Sequence, residues 1–452
     1  MSAKRLKIHF IGIGGIGISA LAHYYLAKGY KVSGSDLTFS EITQALKKKG
    51  AAIRIGAHKK ENVPNNADLI VYSPAVKPDN PERTEAGKRK LNIQSYPESL
   101  GELSRQHFTI AVSGTHGKST TTAMLGLLLI KAGLDPTVII GTKLKEFKDG
   151  NCRVGKSKYL VIEADEHFAS FLNYWPKIIA LTNIEADHLD YYKSLGNLLK
   201  TFKKYISHLP ATGTLVINAD DKNIKKILKA KTVFSLKKYS LRQPEAKKLK
   251  KILRVPGEHN IYNALEALTV ARSLGIKDKV SFQALSEYRG AWRRFEIIQT
   301  KPFVLISDYG HNPTKAMAGF KAAREKYPGK KIWCVYQPHQ HHRTYYLLKD
   351  FIRVFRQAAG DEFKNSSSSF AAARMINEII ISDIYDVAGR EEDKIKKKIS
   401  SEKLVKAIGR KNVIYLPKEK ITDYIKENSK EVNVLMIMGA GDIYSLVDSF
   451  RR

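Results

Sequence analysis

Cysteine is nearly missing from this chain: Cys152 and Cys334 are the two in 452 residues. That is too few for a disulfide framework or a thiolate metal site, and it suits a reducing cytoplasm. Long apolar runs are missing as well, since stretches such as MLGLLLI, Met124–Ile130, are far too short to span a bilayer. The start, MSAKRLKIHFIGIG, runs straight into a strand pattern without the layout of a signal peptide. A cytoplasmic chain, neither exported nor inserted in a membrane, is therefore expected. Acidic residues are in deficit, 44 against 77 Lys and Arg, which leaves a formal net charge of +33. Such a charge draws polyanions of any kind and does not choose among them. The lysines are spread over apparent helical surfaces, Lys47–Lys49 and Lys247–Lys251, without the interleaved aromatics of single-strand binders. A solvated basic face is expected, and a nucleic acid partner is not. Thirteen histidines come without an H-E-x-x-H or Cys/His spacing, so no zinc motif is present. No short-period repeat is visible.

What is present is punctuated by glycine turns between apolar strands and helices. The segment TIAVSGTHGKSTTTAMLGLLLIKAG, Thr109–Gly133, sets an apolar strand, a Gly-Lys-Ser loop and an apolar helix in immediate succession. Gly114 and Gly117 let backbone amides approach phosphate, Lys118 supplies a point charge, and the Ser119 hydroxyl suits Mg²⁺. Two residues rather than four separate the glycines, so the loop is shorter than the usual Walker A. ATP is the ligand this layout implies.

At this length about three domains are expected, and the boundaries are drawn at 1–106, 107–300 and 301–452. In the first, KIHFIGIGGIGISALAHYYLAKGYKVSGSD reads as strand, turn, helix, strand, with Gly12, Gly14 and Gly17 in G-x-G-x-x-G spacing and Asp36 after the second strand. Such a Rossmann-type start suits a pyrophosphate and leaves NAD, FAD and a UDP-sugar open. The middle segment alternates strands and helices, which argues for a mostly parallel sheet covered on both faces. The third begins again as an α/β unit, FVLISDYGHNPTKAMAGF, and ends in NVLMIMGAGDIYSLV; between them NSSSSF, Asn365–Phe370, reads as a polar loop. The fold class is α/β throughout.

Several groups fall where strands end and an α/β sheet presents its ligands. Glu163, Asp165 and Glu166 close YLVIEADE, and one such carboxylate can complete a Mg²⁺ shell begun by Ser119 and phosphate. Asn183, Glu185, Asp187, His188 and Asp190 crowd into TNIEADHLD, where the imidazole can serve a second cation. His259 and Asn263, four apart, share a helix face that can read an adenine edge. Arg293 and Arg294 offer planar forks for phosphate or carboxylate. Asp308, Tyr309, His311, His339, His341, His342 and Arg343 all sit at apparent strand ends of the third segment.

Taken in order, IGIGGIGISALA with VSGSD, SPAVKPDNPE, GTHGKSTTT, YLVIEADE with ASFL, TNIEADHLDYY, PGEHNIYNALEA, RRFE, DYGHNPT, YQPHQHHRT and MGAGD resemble the motifs of the Mur ligases. These are the ATP-dependent amide-bond-forming enzymes of peptidoglycan synthesis, and the likeness, strongest to the members that add L-alanine to UDP-N-acetylmuramate, covers nearly the whole chain. The resemblance implies a Rossmann-like UDP-substrate domain, a central P-loop ATPase domain and a C-terminal Rossmann-like domain that closes over them. It implies that the sugar's carboxylate takes the γ-phosphoryl group of ATP and that an amine then displaces phosphate. Lys118, Glu163 and His188 become catalytic, with Ser119, Glu163 and His188 holding one or two Mg²⁺ ions. The nucleotide falls to Gly114, Thr115, His116, Gly117, Lys118, Ser119, Thr120, Asn183, His259, Asn260, Asn263, Arg294 and Asp308. The UDP-substrate falls to Gly14, Gly15, Ile16, Gly17, Ser35, Asp36, Ser73, Pro74 and Ala75, and the amino acid to Tyr309, His311, His339 and Arg343.

The chain departs from the alanine-adding pattern in a few places. Gln340 follows His339 where QPHR is usual, Asn312 stands in DYGHNP where DYGHHP is usual, and Gly141 is followed by Thr142 rather than a second glycine. The stretch after Asp221 is abbreviated. Alanine, glycine and serine stay open as the amino acid, although QPHQHHRT in place of an EPRSNT-like segment favours a single amino acid over a recycled L-Ala-D-Glu-meso-diaminopimelate tripeptide. Lys200 and Lys203 lie where some Mur ligases carry a carbamylated lysine; the alanine-adding members lack a clear equivalent, and neither is assigned. Outside the family, a P-loop nucleotide-binding regulator and a pyridine-nucleotide dehydrogenase built on the first glycine turn are the other readings. Oligomeric state is not legible.

Overall fold

Strand β1 (Lys7–Ile11) begins a parallel sheet because its KIHFI run is buried on both faces, as parallel strands covered by helices are. The computed structural model describes residues 6–148, 150–228, 232–360, 374–386 and 393–451; the Asn365–Phe370 stretch lies outside the described residues. In the first sheet β1 is flanked by β2 (Lys31–Asp36) and β4 (Leu69–Tyr72), with β3 (Ala52–Ile55) and β5 (Ile93–Ser95) at the edges. All its pairings are parallel. Asn80 caps the helix Pro81–Lys88, and Ser95 with Glu98 forms a capping box on the helix Tyr96–Arg105, so the connecting segments carry their own start signals.

The second sheet runs β12–β11–β10–β6–β9–β7–β8. Its strands are β6 (Phe108–Ser113), β7 (Thr137–Leu144), β8 (Gly150–Arg153), β9 (Tyr159–Ala164), β10 (Ile178–Leu181), β11 (Thr214–Asn218) and β12 (Ser235–Tyr239). Only β8 runs antiparallel to its neighbour. The chain leaves β6 through the helix Lys118–Lys131, whose Met124, Leu125, Leu128 and Leu129 are buried at helical spacing. Both neighbours of β6, β9 and β10, come from later in the sequence. A crevice therefore opens beyond its carboxyl end, where open α/β sheets bind ligands.

The third sheet runs β13–β14–β18–β15–β16–β17, with β13 (Glu296–Gln299), β14 (Val304–Asp308), β15 (Ile332–Tyr336), β16 (Glu378–Ile381), β17 (Val413–Tyr415) and β18 (Val434–Met438). One face buries Phe320, Phe351 and Phe355, the other Ile421, Ile425 and Val447. β13 pairs antiparallel with β14. This sheet thus begins on the N-terminal side of the break expected after residue 300.

Contacts group the chain into two compact units. One runs to Leu253 and resumes over Asn260–Tyr288; the other is Arg254–His259 with everything from Arg289 on. The first two sheets therefore share a unit. Asn151 on β8 donates from Nδ2 to Ile16 O at 2.5 Å and to Ser19 Oγ at 2.8 Å, and a Cβ on Gly101 would lie 2.5 Å from Asn173 O. No helix among the described residues is long and apolar enough to cross a membrane.

Candidate active site

The loop after β6 is shaped by two left-handed glycines, Gly114 at φ +129° and Gly117 at φ +85°. A side chain at either would also collide, with the Thr182 hydroxyl or with Asn263 Oδ1. Asn183, at the end of β10, grips the loop backbone. Its Oδ1 accepts from His116 N at 2.9 Å, its Nδ2 donates to His116 O at 3.0 Å, and its O accepts from Thr115 N at 2.9 Å. Glu185 completes the brace, its N donating to Thr115 Oγ1 at 2.9 Å and its Oε2 lying 3.1 Å from His116 Nε2. Asn183 and Glu185 thus hold the loop in shape. Lys118, Ser119 and Thr120 open the helix that follows, and the amides of such a first turn favour an anion.

Parallel register between β6 and β9 sets Ser113 beside Ala164, so the carboxylates that follow Ile162 arrive at the loop. Lys118 Nζ donates to Gly114 O at 2.7 Å and Glu166 Oε2 at 2.6 Å, and lies 3.4 Å from Asp165 Oδ1. Burial works against its ammonium, but Glu166, Asp165 and Glu163 outweigh it and hold the pKa above the ordinary lysine value. Burial pushes Glu166 up to about 7, against the pull of Lys118. Glu163 Oε1 accepts from Ser119 Oγ at 2.9 Å, and its Oε2 from Gly141 N at 2.9 Å. A Cβ on Gly141 would stand 2.8 Å from Glu163 Oε2, which accounts for glycine there whatever follows it.

His188 is left-handed at φ +51°. Its ring stacks on His167 at 4.1 Å between centroids, and its Nε2 lies 3.8 Å from Glu166 Oε1. Burial lowers its pKa to about 4, so the ring is neutral and able to ligate at neutral pH. Glu166 Oε1 is buried without a hydrogen-bond partner. Among the described residues no three His, Cys, Asp or Glu side chains are grouped to hold a metal by themselves. Hard oxygens of Ser119 and Glu163, with the orphaned Glu166 oxygen facing His188, fit Mg²⁺ that completes its shell from phosphate and water.

The helix Glu258–Ser273 brings Asn260 and Asn263 to the same unit as the loop, Asn263 Nδ2 donating to Asn260 Oδ1 at 3.3 Å. His259 groups with the other unit, against Gly257.

At the first sheet, Asp36 Oδ2 accepts from Gly14 N at 2.8 Å, while Gly12 N and Ile13 N donate to Ser35 O. Asp36 therefore fastens the glycine turn itself. Gly15 caps the helix Ile16–Ala27, and the Cβ of Ser73 would lie 3.2 Å from one on Gly12, placing Ser73, Pro74 and Ala75 beside the turn. Gly17 faces the Tyr96 ring. Beneath lies a carboxylate that motif reading did not single out: Glu82, fully buried, accepts from Ser35 Oγ at 2.8 Å and Asn62 Nδ2 at 2.8 Å, and meets His58 at 2.7 Å and His9 at 3.2 Å. Burial opposes its charge, but these four partners bring its pKa down to about 2. Its place inside SPAVKPDNPE was the available signal.

In the C-terminal unit, Asp308 closes β14 and accepts from Gly310 N at 2.7 Å and Phe295 N at 2.8 Å; burial raises its pKa. Arg294 lies 4.6 Å from the Tyr309 ring, whereas Arg293 turns inward to Gly439 O at 2.5 Å and Gly441 O at 3.2 Å. Tyr309, His311 and His339 form a ladder of rings at 5.2 and 5.7 Å. Arg343 Nη1 reaches His339 Nδ1 at 3.2 Å. Gln340, in place of the usual arginine, takes φ +72° and donates its N–H to Tyr385 O at 2.9 Å.

Three family models match the chain in succession: the Mur ligase family catalytic domain over residues 7–108, the Mur ligase middle domain over 112–271, and the Mur ligase glutamate ligase domain over 293–441. A UDP-N-acetylmuramate–L-alanine ligase of Clostridium botulinum (strain Okra) is 39% identical over 99% of this chain and 98% of its own. One from Aquifex aeolicus is 38% identical over 99% and 97%. The crystal structure of the UDP-N-acetylmuramate–alanine ligase of Thermotoga maritima superposes with a TM-score of 0.78 at 26% identity, covering 99% of this chain and 98% of that one.

Proposed function

Because this chain belongs to the Mur ligase family, we propose that it joins L-alanine to UDP-N-acetylmuramate at the expense of ATP, in the cytoplasm, as a step in making peptidoglycan precursor. The observation that carries the catalytic reading is the convergence of Lys118, Ser119 and Glu163 at one helix N-terminus, with Ser119 Oγ 2.9 Å from Glu163. Residues 1–106 hold the UDP-sugar, the P-loop sheet holds ATP, and the third sheet carries the amino-acid groups.

The chemistry follows from charge. A carboxylate oxygen of the sugar bonds to the γ-phosphorus as the bond to the β-phosphate oxygen breaks, giving ADP and an acyl phosphate. The amine nitrogen, having lost a proton, then bonds to the acyl carbon, and phosphate leaves. Loop amides and Lys118 gather the phosphates, Lys118 exchanging its Glu166 and Asp165 contacts for phosphate oxygens. Ser119, Glu163 and His188 would hold Mg²⁺, which neutralises the transferring phosphoryl oxygens when bound. Asn260 and Asn263 lie by the adenine, and in the C-terminal unit the guanidinium of Arg343 suits an amino-acid carboxylate as a fork.

ADP release is measured with ATP, Mg²⁺ and UDP-N-acetylmuramate against no amine, L-alanine, glycine, L-serine and the L-Ala-D-Glu-meso-diaminopimelate tripeptide. The expected result is release that needs the sugar and is fastest with L-alanine. ATP binding without release in any mixture overturns the ligase reading.

A further inference from the structure

Behind the nucleotide loop sits a carboxyl group that the chemistry above leaves without a role. Glu266, on the helix Glu258–Ser273, is fully buried. Thr121 Oγ1, one turn into the loop helix, lies 3.3 Å from Glu266 Oε2 and 3.3 Å from Asn263 Oδ1. A hydroxyl has one proton to give. Asn263 presents a carbonyl oxygen here, because its Nδ2 is committed to Asn260 Oδ1 at 3.3 Å. If Glu266 were ionised, two acceptors would compete for that one proton, and one buried contact would go unmade at real cost. A neutral Glu266 removes the conflict: its O–H donates to Thr121 Oγ1, Thr121 donates to Asn263 Oδ1, and Asn263 donates to Asn260.

We propose that Glu266 is a positioning residue for the nucleotide, a neutral acid that fixes the Asn263 amide through Thr121. This inference rests on the assignment of ATP to the P-loop and goes beyond it by naming what sets the adenine-side amide. Asn263 Oδ1 lies directly over Gly117, whose missing side chain leaves room for it, so the orientation of this amide is felt by the loop that receives phosphate. Burial raises the Glu266 pKa well above the ordinary carboxylate value, against the pull of hydrogen bonds with Thr121 and with Tyr239 of β12, and no charged side chain stands among the causes. The Tyr239 phenol is likewise held well above its usual range, by burial first and then by Glu266.

The test compares wild type, Glu266→Gln and Glu266→Met in the full-length protein, reading the KM of each substrate and the infrared carboxyl band. A glutamine amide still donates to Thr121, whereas methionine fills the space without a proton. Glu266→Gln is expected to stay within about twofold of wild type in ATP KM, and Glu266→Met to raise it about tenfold, as the loss of an oriented hydrogen bond would. The KM values for the sugar and the amino acid should hold in both. The infrared difference spectrum of wild type minus Glu266→Gln should show one neutral carboxyl stretch near neutral pH, which Glu166 and the other carboxyls, common to both proteins, do not contribute. An ionised carboxylate band in that difference, an unchanged ATP KM in Glu266→Met, or a glutamine variant as impaired as the methionine one overturns the proposal. If Glu266→Met fails to fold, the glutamine variant and the infrared band still decide. A wild type inactive with every amine counts against the ligase reading instead, and ATP affinity by calorimetry then replaces KM in the same comparison.

Discussion

Lys118 is the side chain on which most of the site's charge turns, since its ammonium faces Glu166, Asp165 and Glu163 together. Lys118→Ala is expected to lower turnover by at least 10²- to 10³-fold, about what loss of one preorganised charged donor costs, while circular dichroism stays native. Wild-type turnover from the folded variant would remove Lys118 from catalysis. Arg343→Ala is expected to raise the amino-acid KM and leave the ATP KM in place; an unchanged KM for every amino acid would remove it from the pocket. Lys118, Ser119 and Glu163 were legible in the sequence because a loop of fixed spacing and a strand end each announce their chemistry. The pairing of Lys118 with Glu166 was not, because three carboxylates within four positions look alike until the strand's alternation aims them. Arg293 and Arg294 part for a related reason: adjacent residues leave a chain in different directions, and although both lie over the Tyr309 ring, at 5.0 and 4.6 Å, Arg293 also turns to Gly439 O and Gly441 O.

At the scale of elements, the loop helix and the helix Glu258–Ser273 approach through a position with no room for a Cβ. Gly117→Ala is expected to lose about 2–5 kcal/mol of stability, since it combines left-handed strain with overpacking, and to weaken ATP binding. Gly29 offers the matched control. Its φ of +84° is nearly the same as the +85° of Gly117, yet nothing lies within 4 Å of an added Cβ, so Gly29→Ala should cost only the backbone part, about 1–2 kcal/mol. Equal losses in denaturant melts would refute the steric account. The apolar strands and the glycine turns of all three sheets were readable from sequence, because period and punctuation are local. β13 was not assigned to the third sheet, because its EIIQ run carries no mark of its partner, and the Lys301–Pro302 turn reads equally well as a domain break or a hairpin. Glu82 and Glu266 were illegible as buried carboxylates for the same reason: the groups that accept or supply their protons come from distant elements.

For the molecule as a whole, acid should unfold it in two overlapping stages. Burial, with a smaller push from Lys49, lowers His23 from 6.5 to about 4. The unfolded chain then binds the extra proton first, so this contribution is whole above pH 6.5 and lost as pH falls toward 4. It amounts to on the order of 3 kcal/mol. Glu82, drawn from 4.5 to about 2, contributes above 4.5 and is lost between there and 2. His188, also lowered to about 4 by burial, adds to the first stage, whereas Glu166, raised to about 7, opposes it. Denaturant melts across this range should show His23→Leu reducing the first stage and sparing the second. A first stage unchanged in that variant would show that His23 has no share in it. The formal charge of +33 adds a general repulsion that salt relieves. Three domains were expected from length and punctuation, and the chain builds three sheets. That two of them share one compact unit was not expected, because the bonds joining them, such as Asn151 Nδ2 to the backbone carbonyl of Ile16, run from polar side chains that look like ordinary surface to main-chain groups that leave no mark in sequence.

The C-terminal unit is not one continuous stretch of chain: Arg254–His259 belongs to it, although Asn260–Tyr288 does not. Within that unit Val255 stands 3.5 Å from a Cβ on Gly290, and Ala322 stands 3.2 Å from one on Gly257. A gene fusion or recombination breakpoint placed at residue 288 would therefore move the third sheet to a new host without its hexapeptide strap. Moving this unit whole takes either two joins or the strap carried along with the helix that follows it.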